Sequence, residues 1–154
     1  MTFEYNAENV YHFAIVVPEI DRGMETIAKQ FNVSFPPHLP ANLKALVRGR
    51  EVDIATRFVY SRQGPPYIEL VRAVPGTVFD APAGTSRVHH IGIFVDDMEA
   101  EVARLVDEGF DLEFQSIGDD GRPSMVSFIN SDLGVRQELV SAEARGLIGT
   151  LTNR

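Results

Sequence analysis

Four side chains in this sequence have the types and placement to hold a divalent cation: His12, Glu69, His90 and Glu138. Sliding the chain over itself by 78 residues puts His12 on His90, Ile15 on Ile93 and Val17 on Val95. Further along, the stretch Glu69-Leu70-Val71 falls on Glu138-Leu139-Val140. Each half thus carries one histidine early and one glutamate late. A single strand histidine is usually structural, and a single strand glutamate has an exposed face or an arginine partner as its ordinary explanation. A pair that recurs at matching places is hard to explain by packing alone. Two imidazoles and two carboxylates suit Zn, Ni, Co, Mn or Fe(II) and do not select among them.

The elements that must position these residues follow from hydropathy. Tyr11 to Val17 and Val88 to Val95 are short, apolar, β-branched and aromatic runs, as strands are. A helical stripe follows each: Ile20, Met24, Ile27, Ala28 and Phe31 in the first half, Met98, Val102, Leu105 and Val106 in the second. Acidic residues (Glu19 and Asp21; Asp96 and Asp97) favour the two helix N-termini. Strand-like segments come next, at 44–48, 52–61 and 67–74, then at 112–117, 125–130 and 135–141. The order is strand, helix and three strands, twice. An α+β fold of two βαβββ modules is expected, with modules at 8–75 and 87–142, a Pro/Gly-rich linker at 76–86 and a tail at 143–154. The tail is expected to form a short helix and then fray. Three prolines in Phe35 to Asn42 predict a semi-rigid loop, with His38 either solvated or part of a lid over the site.

Strand alternation assigns the faces. Phe13, Ile15 and Val17 should meet the first helix, leaving His12, Ala14 and Val16 on the other side. Ile91, Ile93 and Val95 should meet the second helix, leaving His90, Gly92 and Phe94 opposite. Ile68, Leu70 and Leu139 then place Glu69 and Glu138 on the same helix-free face as the two histidines. Ala14 and Gly92 leave room beside them. By the same alternation His89 points away from His90 and reads as structural.

The chain has 154 residues, 44% of them apolar, enough to bury a core. A net charge of −8 argues against nucleic acid and anionic membrane surfaces as partners. With no cysteine, thiolate metal sites, disulfides and a Cys nucleophile are excluded. The sequence starts without a signal-peptide pattern and has no membrane-length apolar run, so a cytoplasmic location is expected.

HFAIVV followed by a helix and IELV, then HIGIFVDD followed by a helix and QELV, resembles the vicinal oxygen chelate superfamily of glyoxalases, bleomycin-binding proteins and extradiol dioxygenases. The likeness spans Tyr11 to Ala142 and is nearest the glyoxalase I and methylmalonyl-CoA epimerase branch. It implies paired modules forming a cupped mixed sheet with helices outside. It also implies a divalent metal at the positions of His12, Glu69, His90 and Glu138. The chemistry implied is proton transfer next to a carbonyl through a metal-stabilised enolate, by an isomerase, epimerase or lyase, with Glu138 or Glu69 as the base. Glu138 is favoured because Arg136 shares its strand face. A small-molecule substrate and a homodimer are expected. The competing readings are a non-catalytic binding protein of the bleomycin-resistance type and a ring-cleaving dioxygenase.

Overall fold

The structure is a computed structural model that describes residues 4–154. The first half runs β1 (Val10–Val17), α1 (Ile20–Phe31), β2 (Leu39–Val47), β3 (Arg50–Tyr60) and β4 (Tyr67–Arg72). The second runs β5 (Arg87–Val95), α2 (Met98–Asp107), β6 (Asp111–Ile117), β7 (Pro123–Asn130) and β8 (Arg136–Ser141). A short 3₁₀ turn and a last helix, α3 (Arg145–Thr152), follow.

The eight strands close in the order β1-β4-β3-β2-β6-β7-β8-β5. β1 pairs β4, and β5 pairs β8, in parallel; the other pairings are antiparallel. Two seams join the halves: the β1–β5 ladder and a short β2–β6 contact from Ala45↔Ser116 to Val47↔Phe114. The expected cup is therefore a mixed sheet whose rim meets itself along one short stretch.

The helices pack outside as their stripes predict. Ile20 and Ile27 of α1 cover Val17, Val59 and Leu70, and Leu105 of α2 covers Ile93, Val95 and Leu139. Gly23 lets α1 approach the sheet, since a Cβ there would sit 2.8 Å from the Val17 side chain. Asp97 caps α2 by accepting from the Ala100 N–H. Phe13 departs from expectation: it lies on the outer side but remains 38% exposed, outside the cover of α1.

Several connecting segments do more than their composition suggests. Pro40 lies inside β2, not in a loop. The strand tolerates it because β2 pairs β6 only from Ala45 onward, which leaves the Pro40 region an edge on that side. His38 is not among the residues that line the cavity described below. It accepts from Arg57 Nε at its Nδ1 (2.6 Å), and its Nε2 is 3.2 Å from Asp21, which ties the loop to β3 and α1. The segment between β4 and β5 inserts Val78 and Phe79 into the barrel core beside Val16, Ile54, Phe114 and Phe128. The tail forms a short helix, α3, as expected, and docks it, with Ile148 and Thr152 buried.

Candidate metal centre and its cavity

His12 and Glu69, and His90 and Glu138, stand on paired parallel strands. In register, Ala14 lies beside Glu69 and also beside His90, while Gly92 lies beside Glu138 and beside His12. The four functional residues therefore alternate with the two smallest residues of β1 and β5 across the inner face. The need for glycine is steric. A Cβ on residue 92 would fall on the His12 ring.

All four side chains are buried, and one ligand atom from each lies within 4.8 Å of the other three. His12 Nε2 and His90 Nε2 are 2.8 Å apart. Glu69 Oε2 lies 3.1 Å from His12 Nε2 and 3.3 Å from His90 Nε2. Glu138 Oε2 lies 2.9 Å from His90 Nε2. Glu69 Oε2 is buried and has no hydrogen-bond partner among the described residues. Converging imidazole lone pairs and an unpartnered carboxylate oxygen in a buried space are what a divalent cation would satisfy, so the donor set fits such a group. Without a cation, the same arrangement favours a proton on His90. Burial would lower the His90 pKa, but Glu138 and Glu69 raise it from 6.5 to about 9. Burial likewise opposes the ionised form of Glu69, and the two histidines more than offset it, holding its pKa below the usual carboxylate range.

Two residues to which the sequence reading gives no role in the site complete it. Tyr11 donates its hydroxyl to Glu138 Oε1 at 2.9 Å and stacks on Phe94 at 4.2 Å between centroids. Strand alternation puts Tyr11 and His12 on opposite faces, but the β1–β5 register shifts between Val10 and His12, so both point inward. Tyr60 faces Glu69 in the β3–β4 register and packs edge-on to His12. Burial pushes the pKa of both phenols up, and the two glutamates push it further, so both stay protonated. A second shift, between Ala14 and Ile15, corrects the face of His89. Its ring lies inside, stacked on Phe79 and beside Phe128.

Arg136 does not serve Glu138. Its guanidinium makes two hydrogen bonds to Glu113, at 2.8 and 2.9 Å, and a third to the His89 carbonyl. Glu113 is itself buried and needs that charge.

Glu69, His90 and Glu138 of the quartet line a cavity of about 290 Å³. His90 packs on Phe128 of the barrel core, and His12 contacts Tyr60 of the cluster that α3 closes with Ile148. Leu147, Ile148 and Leu151 of α3 form one wall. The C-terminal helix thus walls the cavity, and of the proline-rich stretch only Ala41, in β2, lines it.

Known structures share this fold. A Streptomyces coelicolor methylmalonyl-CoA epimerase variant in complex with 2-nitronate-propionyl-CoA superposes with a TM-score of 0.59 at 18% identity, over 86% of this chain and 96% of that one. Methylmalonyl-CoA epimerase from Mycobacterium tuberculosis gives 0.57 at 18% identity, over 86% and 87%. A hypothetical protein from Bacillus halodurans C-125 gives 0.57 at 19% identity, over 86% and 92%. No curated protein matches the chain in sequence. The family model described as Glyoxalase/Bleomycin resistance protein/Dioxygenase superfamily matches residues 11–128, and the chain belongs to that superfamily.

Proposed function

We propose that the protein is a divalent-metal-dependent isomerase or epimerase that moves a proton on the carbon next to a carbonyl. The observation that carries this reading is the convergence of His12, Glu69, His90 and Glu138 on one buried point that borders an apolar cavity. These four residues would hold the cation, which when bound would supply Lewis-acid polarisation of a carbonyl oxygen.

The chain's own groups do the rest. Glu138 takes the proton from the substrate carbon. Tyr11 keeps a hydrogen bond on Oε1 of that carboxylate and so fixes its direction. The aromatic walls exclude water that would otherwise compete for the proton. Returning the proton to the opposite face of the same carbon gives epimerisation, and returning it to the adjacent carbon gives isomerisation. The fold neighbours that are methylmalonyl-CoA epimerases agree with this class of chemistry. In the same reading the protein acts on a small molecule, as a homodimer in the cytoplasm. None of the described helices is long and apolar enough to cross a membrane.

Element analysis of the purified protein tests the first step, with about one divalent ion per chain expected. Incorporation of solvent deuterium next to a carbonyl, lost on chelation and restored by metal, tests the second. The apolar cavity also favours a second reading, a binding protein that sequesters an apolar compound. Tight ligand retention with no deuterium exchange in the metal-loaded protein would select it.

A further inference from the structure

The cavity beside the quartet limits what the carbonyl compound can carry. Its wall is built from apolar side chains, among them Leu43, Phe58, Phe114, Met125, Val126 and Ile148. Outside the quartet and its two tyrosines, the polar side chains on the wall among the described residues are Thr56 and Ser116, and both hydroxyls are already engaged. Thr56 donates to the Arg72 carbonyl at 2.7 Å. Ser116 donates to the Val126 carbonyl and accepts from the Val126 N–H. No Lys or Arg is among the described residues that line the space. Two arginines in contact with site residues are spent elsewhere: Arg136 on Glu113, and Arg145 on the Glu8 carbonyl, Asn9 and the Phe94 ring.

We propose that the substrate is a compact, uncharged carbonyl compound bearing an aryl or branched-alkyl arm, and that an ionised group on that arm is selected against. The proposal rests on the metal-centre reading for the position of the carbonyl, and on the cavity for the arm. A carboxylate there would lose its water, and away from the two phenols beside the quartet the wall offers no free side-chain donor to replace it. The volume of about 290 Å³ sits at the small end of ligand sites, which suits an arm the size of a phenyl ring. Ring edges and faces of Phe58, Phe114 and Phe128 favour an aryl arm in particular. Leu147, on the wall formed by α3, is 52% exposed, so the cavity meets solvent there.

The test compares binding of phenylacetone with that of its para-carboxy analogue, using the purified full-length protein before and after chelation. Phenylacetone is expected to bind at least about tenfold more tightly in both states. Leu147→Lys, a change at a half-exposed position, places a cation at the wall and should narrow that ratio by about threefold or more. Equal binding of the two ketones, or preference for the carboxylate, overturns the proposal even where the protein holds its cation and catalyses exchange. A protein without bound cation that still prefers phenylacetone supports the proposal for the arm while the metal-centre reading fails.

Discussion

The imidazoles of His89 and His90 meet Nδ1 to Nδ1 at 2.8 Å, and the far nitrogen of His89 lies 2.6 Å from the Val78 carbonyl. A carbonyl only accepts, so His89 Nε2 carries the proton. Burial holds the His89 pKa down, from 6.5 to about 3, so the ring is neutral and its Nδ1 must accept. His90 Nδ1 is then the donor, which directs its Nε2 at the centre of the quartet. Val78, His89 and His90 form a chain that sets the tautomer a metal-binding imidazole needs. His89→Phe keeps the stacking on Phe79 but removes the acceptor. It should weaken metal binding by about 10- to 100-fold with the fold intact, as outer partners of ligands usually do. His89→Gln, which restores an acceptor oxygen, should recover part of the loss. Metal titrations of the three proteins, with circular dichroism as the control for folding, check this.

Gly92→Ala tests the crowding at the quartet. The added Cβ would overlap the His12 ring, which is fully buried. The variant should bind metal as poorly as His12→Ala, although position 92 supplies no ligand. If Gly92→Ala binds metal normally, the ring has freedom that the packing does not show.

The His variants and the core variants should separate cleanly. His12→Ala and His90→Ala should lose metal while remaining folded. Ile93→Ala removes a buried aliphatic between the sheet and α2 and should cost about 2–5 kcal/mol in denaturant unfolding while leaving the quartet able to bind. Equal losses of stability in both groups would mean that the quartet is a structural core and not a binding site.

That separation was legible in the sequence because strand alternation holds through most of these strands. Ile93, Val95, Leu70 and Leu139 sit under the helices as their parity requires, and Glu69 and Glu138 fall on the inner face. Tyr11 and His89 were not legible, since each sits where the β1–β5 register slips by a residue and two successive side chains turn inward. Nothing in local composition marks such a bulge. Phe79 was hidden for a different reason: a Pro/Gly-rich segment reads as a connector, and its one aromatic finds the barrel core through tertiary contact alone. The pairing of Arg136 with Glu113 is likewise a cross-strand relation that parity along β8 cannot give.

The proton that replaces the cation predicts a pH signature. In the metal-free protein Glu138 and Glu69 hold the His90 pKa at about 9, above its ordinary 6.5, so at neutral pH the folded protein carries a proton there that an unfolded chain largely lacks. Between pH 6.5 and 9 the folded state binds more protons, so the stability of the metal-free protein should fall as pH rises through that window. A cation must displace the same proton. Binding at pH 7 should release about one proton, and affinity should rise with pH by up to about tenfold per unit until His90 is neutral. Calorimetric titration in buffers of different ionisation enthalpy measures the release, and an uptake of protons would contradict it.

The two glutamates should divide the work unequally. Arg136, which shares a strand face with Glu138, is committed to Glu113 and cannot support a carboxylate that has left a cation. Tyr11 can, because its hydroxyl already donates to Glu138 Oε1 and burial keeps it protonated. Glu69 Oε2, by contrast, has no hydrogen-bond partner among the described residues and faces both histidines, as a permanent ligand would. Glu138→Gln should therefore retain much of the metal, since the amide oxygen still coordinates, and cut turnover by about 10²- to 10⁴-fold, the usual cost of a lost general base. Glu69→Gln should act mainly on metal affinity, and added metal should restore most of its rate. Tyr11→Phe should lower turnover less than Glu138→Gln and leave metal affinity nearly unchanged. Combining it with Glu138→Gln should add little further loss, because the hydroxyl acts through that carboxylate. Turnover and metal affinity measured across the four variants decide the matter. A Glu69→Gln protein that is fully metal-loaded yet slower than Glu138→Gln would move the base to Glu69.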